Sequence, residues 1–81
     1  MTVSVLFYGI LRKIAEADQI SIPIPRETRV NDLLCTVRER YPQMPLNEDV
    51  ILLTVNNRIA TGEQILEPED RICFLPHIGG G

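Results

Sequence analysis

Tryptophan is absent, histidine occurs once (His77), and the 81 residues hold two cysteines, Cys35 and Cys73. These shortages remove several chemistries. The two thiols form no CxxC metal pair. Set in apolar runs, they read as buried thiols of a reducing compartment rather than a disulfide framework. Cys35, beside Leu34 in a helical stretch, is expected to be buried and inert. The single histidine has no Ser or Cys nucleophile beside it, and no metal site is expected. Basic residues are the minority, eight against eleven acidic, for a net charge of −3. This disfavours a nucleic-acid reader and suits attraction to a basic partner surface. No apolar run approaches the roughly 20 residues that span a bilayer, and no secretory leader pattern precedes the first strand; no membrane contact and a cytoplasmic location are expected. A GxxxxGK[ST] phosphate loop is also missing.

What is present is enough for one small folded domain: 44% of the residues are apolar and 23% charged, a balance that folds rather than stays disordered. Val3, Val5 and Phe7 alternate with Ser4, Leu6 and Tyr8, predicting a strand. Ile10, Leu11, Ile14 and Ala15 fall at helical spacing over Ile10–Ala17. Ile20, Ile22 and Ile24 alternate again, and Pro23 places this second strand at a sheet edge. Val30, Leu33, Leu34, Val37 and Tyr41 form the stripe of the main helix, with Thr28 as expected N-cap, Asp32 suiting the dipole in its first turn, and Pro42 ending it. Residues 43–49 read as a loop and Val50–Val55 as a strand. Asn56-Asn57 predicts a tight turn into a short strand over Arg58–Ala60. Glu63–Leu66 is expected to form a helical turn, and Arg71–Leu75 the last strand. The predicted fold is α+β, a β-grasp (ubiquitin-like) domain over residues 1–76: a mixed sheet packed on one face by one main helix.

Residues 77–81 are expected to be a flexible tail. Its three glycines follow every predicted element, so they serve neither as helix caps nor as hairpin turns. Without Cβ atoms they permit very close approach of another surface. Extended from His77 to Gly81 the tail spans about 17 Å, long enough to thread a narrow channel and present a carboxylate at its end. That group, with a reference pKa of about 3.5, is an ionised nucleophile toward the α-phosphate of ATP. The resulting acyl-adenylate is open to a sulfur nucleophile. The alternative is a frayed end of no consequence.

Several segments resemble a known family. Leu6-Phe7-Tyr8-Gly9-Ile10-Leu11-Arg12 resembles the opening strand and "LR" turn of the MoaD-type sulfur carriers, the small subunits of molybdopterin synthase. Thr28–Leu34 is similar to their helix entry and Val55-Asn56-Asn57 to their "VN(G)" turn. Leu66–Ile72 resembles their "L-x-(D)-G-D-x-V" step, with Glu69 where glycine is usual. Phe74–Gly81 is similar to their "F-x-P-P-[VI]-[AS]-G-G" ending, with His77 for the second proline and Gly79 for Ala or Ser.

The resemblance implies a ubiquitin-like sulfur carrier of the MoaD/ThiS kind, with no catalytic residues or bound cofactor of its own. Gly81, the reacting group, would be adenylated by an E1-like enzyme of the MoeB type using ATP and Mg²⁺, then converted to a thiocarboxylate. Gly79 and Gly80 would thread it into a large subunit of the MoaE type. There it would donate sulfur to cyclic pyranopterin monophosphate (precursor Z) for the molybdopterin dithiolene. Phe7, Leu75, Pro76, His77 and Ile78 are candidates for the docking face, with Phe7 and Leu75 equally readable as core; strand addition at a sheet edge is a second mode of contact. Other readings of the same fold are a ThiS-type carrier for thiamine, a protein modifier joined to lysines, or a plain interaction module.

Overall fold

The computed structural model describes residues 1–46 and 51–76, with side chains through Leu75. Its elements are β1 (Thr2–Phe7), α1 (Ile10–Ala15), β2 (Gln19–Pro23), α2 (Val30–Arg40), β3 (Ile51–Val55), β4 (Arg58–Ile59) and β5 (Arg71–Pro76). The five strands form one mixed sheet in the order β2-β1-β5-β3-β4. β1 runs antiparallel to β2 and parallel to β5, and β3 is antiparallel to both β5 and β4. This is the expected β-grasp arrangement, with β2 and its Pro23 at one edge.

Alternation sorts the strand side chains. Val3, Val5, Phe7, Ile22, Ile51, Val55, Ile72 and Phe74 are buried together with Leu33, Leu34 and Val37 of α2. Phe7 sits at the centre, its ring edge-on to Tyr41 (5.8 Å between centroids) and tilted against Phe74 (6.0 Å). Such aromatic pairs add about 0.5–1.5 kcal/mol each beyond the area they bury. Phe7 is only 1% exposed, so its ring is part of the core and is not a docking residue.

Three local expectations are corrected. Thr28 is not the N-cap of α2; its hydroxyl donates to the Pro25 carbonyl (2.7 Å). The cap is Arg29, in extended geometry, whose N–H donates to Asp32 Oδ2 (3.0 Å). The helix's own first N–H groups are satisfied from elsewhere: Val30 N donates to Gln64 O (2.9 Å) and Asn31 N to Gly62 O (3.0 Å). Residues 63–66 therefore do not form a helical turn. Their backbone is committed to α2, with an isolated bridge from Arg29 to Ile65 and Leu66 N donating to Thr28 O (2.8 Å). Finally, α1 stops at Ala15 instead of Ala17, because Glu16 takes a left-handed conformation (φ 56) and its N–H returns to Arg12 O.

Candidate functional site

The face of the sheet away from α2 carries the second set of alternating side chains. Leu6 lies opposite Cys73 in the β1–β5 register, Leu75 opposite Leu52 and Cys73 opposite Thr54 between β5 and β3, and Thr54 opposite Ile59 of β4. Leu6, Leu52 and Leu75 are half-buried and stand outside the core cluster. Ile59 is 74% exposed and Tyr8, one residue past β1, 43%. Apolar side chains on a sheet face that no helix among the described residues covers form the kind of patch that marks a contact surface.

Of the residues expected at a docking face, Leu75 is on this patch. Pro76 closes β5 opposite Ile51. Phe7 is on the other side of the sheet, in the core. Leu6, Leu52, Ile59 and Tyr8 were not singled out from sequence, although for two of them the signal was present: if Val3, Val5 and Phe7 face the helix, Leu6 and Tyr8 must face away. His77, Ile78, Gly79, Gly80 and Gly81 lie outside the described residues, as does the boundary of the tail expected over 77–81. β5, which leads to them, is held between β1 and β3 in the middle of the sheet.

The thiols differ from expectation. Cys73 is buried, but Cys35 is exposed. At 100° per residue, Cys35 falls about 150° from the centre of the Val30–Leu33–Leu34–Val37 stripe, on the solvent side of α2. Arg12 pairs with Asp18 across α1 (3.5 Å) with both side chains largely in water, a contact worth under about 1 kcal/mol. Asp70, 7% exposed, is fully partnered: its carboxylate accepts from Glu67 N (2.7 Å) and Asn56 Nδ2 (2.8 Å). Among the described residues no cluster of His, Cys, Asp and Glu is placed to hold a metal ion, and no helix is long and apolar enough to cross a membrane.

The sequence profile of the ThiS family matches residues 5–81. The chain belongs to the ThiS family. Two relatives align along nearly the whole of both chains, each named a molybdopterin synthase sulfur carrier subunit. That of Mycobacterium tuberculosis is 26% identical over 98% of this chain and 96% of its own. That of Caenorhabditis briggsae is 29% identical over 100% and 99%. Among solved structures, the putative molybdopterin converting factor subunit 1 of Pyrococcus furiosus superposes on this ThiS-family chain with a TM-score of 0.86 at 24% identity, covering 94% of this chain and 97% of that one. A chain from the complex of subunits 1 and 2 of the Helicobacter pylori molybdopterin-converting factor superposes at 0.72 with 23% identity and full coverage of both. The small archaeal modifier SAMP1 of Haloferax volcanii reaches 0.85 at 16% identity, again with full coverage of both. At these identities the superpositions establish the shared β-grasp fold.

Proposed function

We propose that this protein is the sulfur carrier of a molybdopterin synthase and that sulfur travels as a thiocarboxylate on Gly81. The observation that carries the reading is the family match running through residue 81, joined by relatives of that name aligned over almost their full length. The chemistry then belongs to one carboxyl group. A carboxylate oxygen of Gly81 attacks the α-phosphorus of ATP held by an E1-like enzyme of the MoeB type with Mg²⁺, and pyrophosphate leaves. A sulfide-level nucleophile attacks the acyl carbon of the adenylate; the C–S bond forms, the C–O bond to AMP breaks, and the thiocarboxylate remains. The loaded chain joins a large subunit of the MoaE type, which supplies the catalytic residues. Two such deliveries onto cyclic pyranopterin monophosphate build the dithiolene, each returning Gly81 to the carboxylate once water has taken the place of sulfur.

In this reading the domain contributes recognition and reach. The open face of Leu6, Leu52, Leu75 and Ile59 docks on the large subunit. Pro76, His77 and Ile78 lead from that face toward its active site, and Gly79 and Gly80 pass where side chains would collide. The complex of subunits 1 and 2 known for the Helicobacter pylori relative supports a two-subunit assembly. Incubation of the purified protein with its activating enzyme, ATP and a sulfide donor is expected to raise its mass by about 16 Da, oxygen for sulfur on one acyl group. An unchanged mass, while a control carrier in the same mixture is converted, refutes the assignment.

A further inference from the structure

Beside the apolar patch, the open face of the sheet holds a notch of about 160 Å³ lined by Leu6, Tyr8, Asn56, Asn57, Arg71 and Cys73. Small-molecule sites generally occupy about 300–1,000 Å³, so this notch suits a single side-chain head group. One side of its rim, the Asn56 side chain and the Arg71 backbone, is held by hydrogen bonds. Asn56 N donates to Arg71 O (2.9 Å), Arg71 N donates to Asn56 Oδ1 (3.0 Å), and Asn56 Nδ2 is tied to Asp70 (2.8 Å). These bonds join the β3–β4 turn to the first residue of β5.

The notch presents a cation on a chain that is acidic overall. The net charge of the chain is −3, yet the one ionisable group of fixed charge here is a guanidinium. The ion pairs among the described residues are Arg12–Asp18 and Arg29–Glu63; Arg71 is in neither and is exposed. Around it stand residues that carry hydrogen-bond donors, the phenol of Tyr8 and the amide of Asn57. Asn57 keeps a left-handed backbone (φ 70) at the position where the resembled turn carries glycine, so this chain has an amide where glycine would supply none.

We propose that the notch receives the carboxylate of one aspartate or glutamate side chain of the partner subunit that docks on the open sheet face. This rests on the reading of that face as the large-subunit contact and goes beyond it by naming the polar anchor. An arginine offers a planar fork of N–H donors that matches a carboxylate. A carboxylate carried into an apolar contact needs such a partner to offset its lost hydration. Leu6 belongs to both the notch and the patch, so anchor and apolar contact form one continuous surface. A charged pair at this place sets register and partner choice more than total affinity.

The test is calorimetric titration of the full-length carrier into its cognate large subunit at low and at moderate salt. Arg71→Gln is expected to weaken binding about tenfold, as for loss of a hydrogen-bonded charge pair, and to flatten the salt dependence. Arg71→Glu weakens it further, and Tyr8→Phe and Asn57→Gly each weaken it about two- to threefold; all four retain the parent melting temperature within a few degrees. Leu52→Asp, in the apolar patch, reports on the docking face itself. If Leu52→Asp abolishes binding while Arg71→Glu keeps both the affinity and the salt slope of the parent, the anchor is overturned and the docking face stands. If Leu52→Asp also binds like the parent, both fall.

Discussion

Glu69 and Asn57 share a left-handed backbone, φ 66 and φ 70, but only asparagine has a short amide that hydrogen-bonds locally in that region. Glu69 is held there because its N–H donates to Thr2 O (2.9 Å), which ties the turn before β5 to the start of β1. The motif that Leu66–Ile72 resembles has glycine at this step, a residue that takes this conformation without Cβ strain. Glu69→Gly is expected to stabilise the fold by about 0.5 kcal/mol, relief of Cβ strain offset in part by a freer unfolded chain. Urea unfolding should show a higher midpoint with an unchanged slope; a lower midpoint contradicts this. The Asn56-Asn57 turn was legible because the residue type announces the geometry. Glu16 was not: glutamate is a good helix former, and nothing in its type signals a left-handed stop to α1. Cys35 was misread for a different reason. Its sequence neighbours are apolar, but burial on a helix follows angle, and the angle puts it in water.

At the scale of elements, α2 shows how a tertiary contact replaces a local one. A threonine ahead of an apolar stripe is a sound capping signal, yet the carbonyls of Gly62 and Gln64 occupy the first N–H groups of the helix. The cap that survives is the reach of Asp32 back to Arg29 N. Asp32→Ala is expected to cost about 1 kcal/mol, the usual value for losing an N-terminal side-chain acceptor, read as a lower denaturation midpoint. Because residues 62–66 brace the helix from outside, its helicity at room temperature should stay that of the parent by circular dichroism. The same bracing explains why a helical turn over Glu63–Leu66 was expected and is absent. A stretch of four residues has too few local bonds to hold a helix and takes whatever pairing the neighbouring element offers, including the contact between Arg29 and Glu63.

For the molecule as a whole, adjacent residues of one strand lie on opposite faces of the sheet, Phe7 in the core and Leu6 on the proposed docking face. Phe7 is 1% exposed and in contact with Tyr41 and Phe74. Phe7→Ala should cost about 3–5 kcal/mol, a large share of the roughly 5–15 kcal/mol that holds a domain folded, and should appear as a collapse of the thermal melt. Leu6→Ala should melt within a few degrees of the parent and instead weaken titration against the large subunit by about tenfold. Equal effects of the two substitutions on melting would refute this division. The amino-acid sequence by itself determined the order of strands and helices, the edge position of β2 and the Asn56-Asn57 turn, since each follows from local periodicity or from the backbone limits of proline and asparagine. Only the tertiary structure decided which side of the sheet α2 covers. With it came the choice of Leu6, Leu52 and Leu75 over Phe7 as the uncovered set, and the pairing of Asn56 with Arg71 across 15 positions. Alternation gives two faces of equal standing, and the distinction between them arises when a helix packs against one.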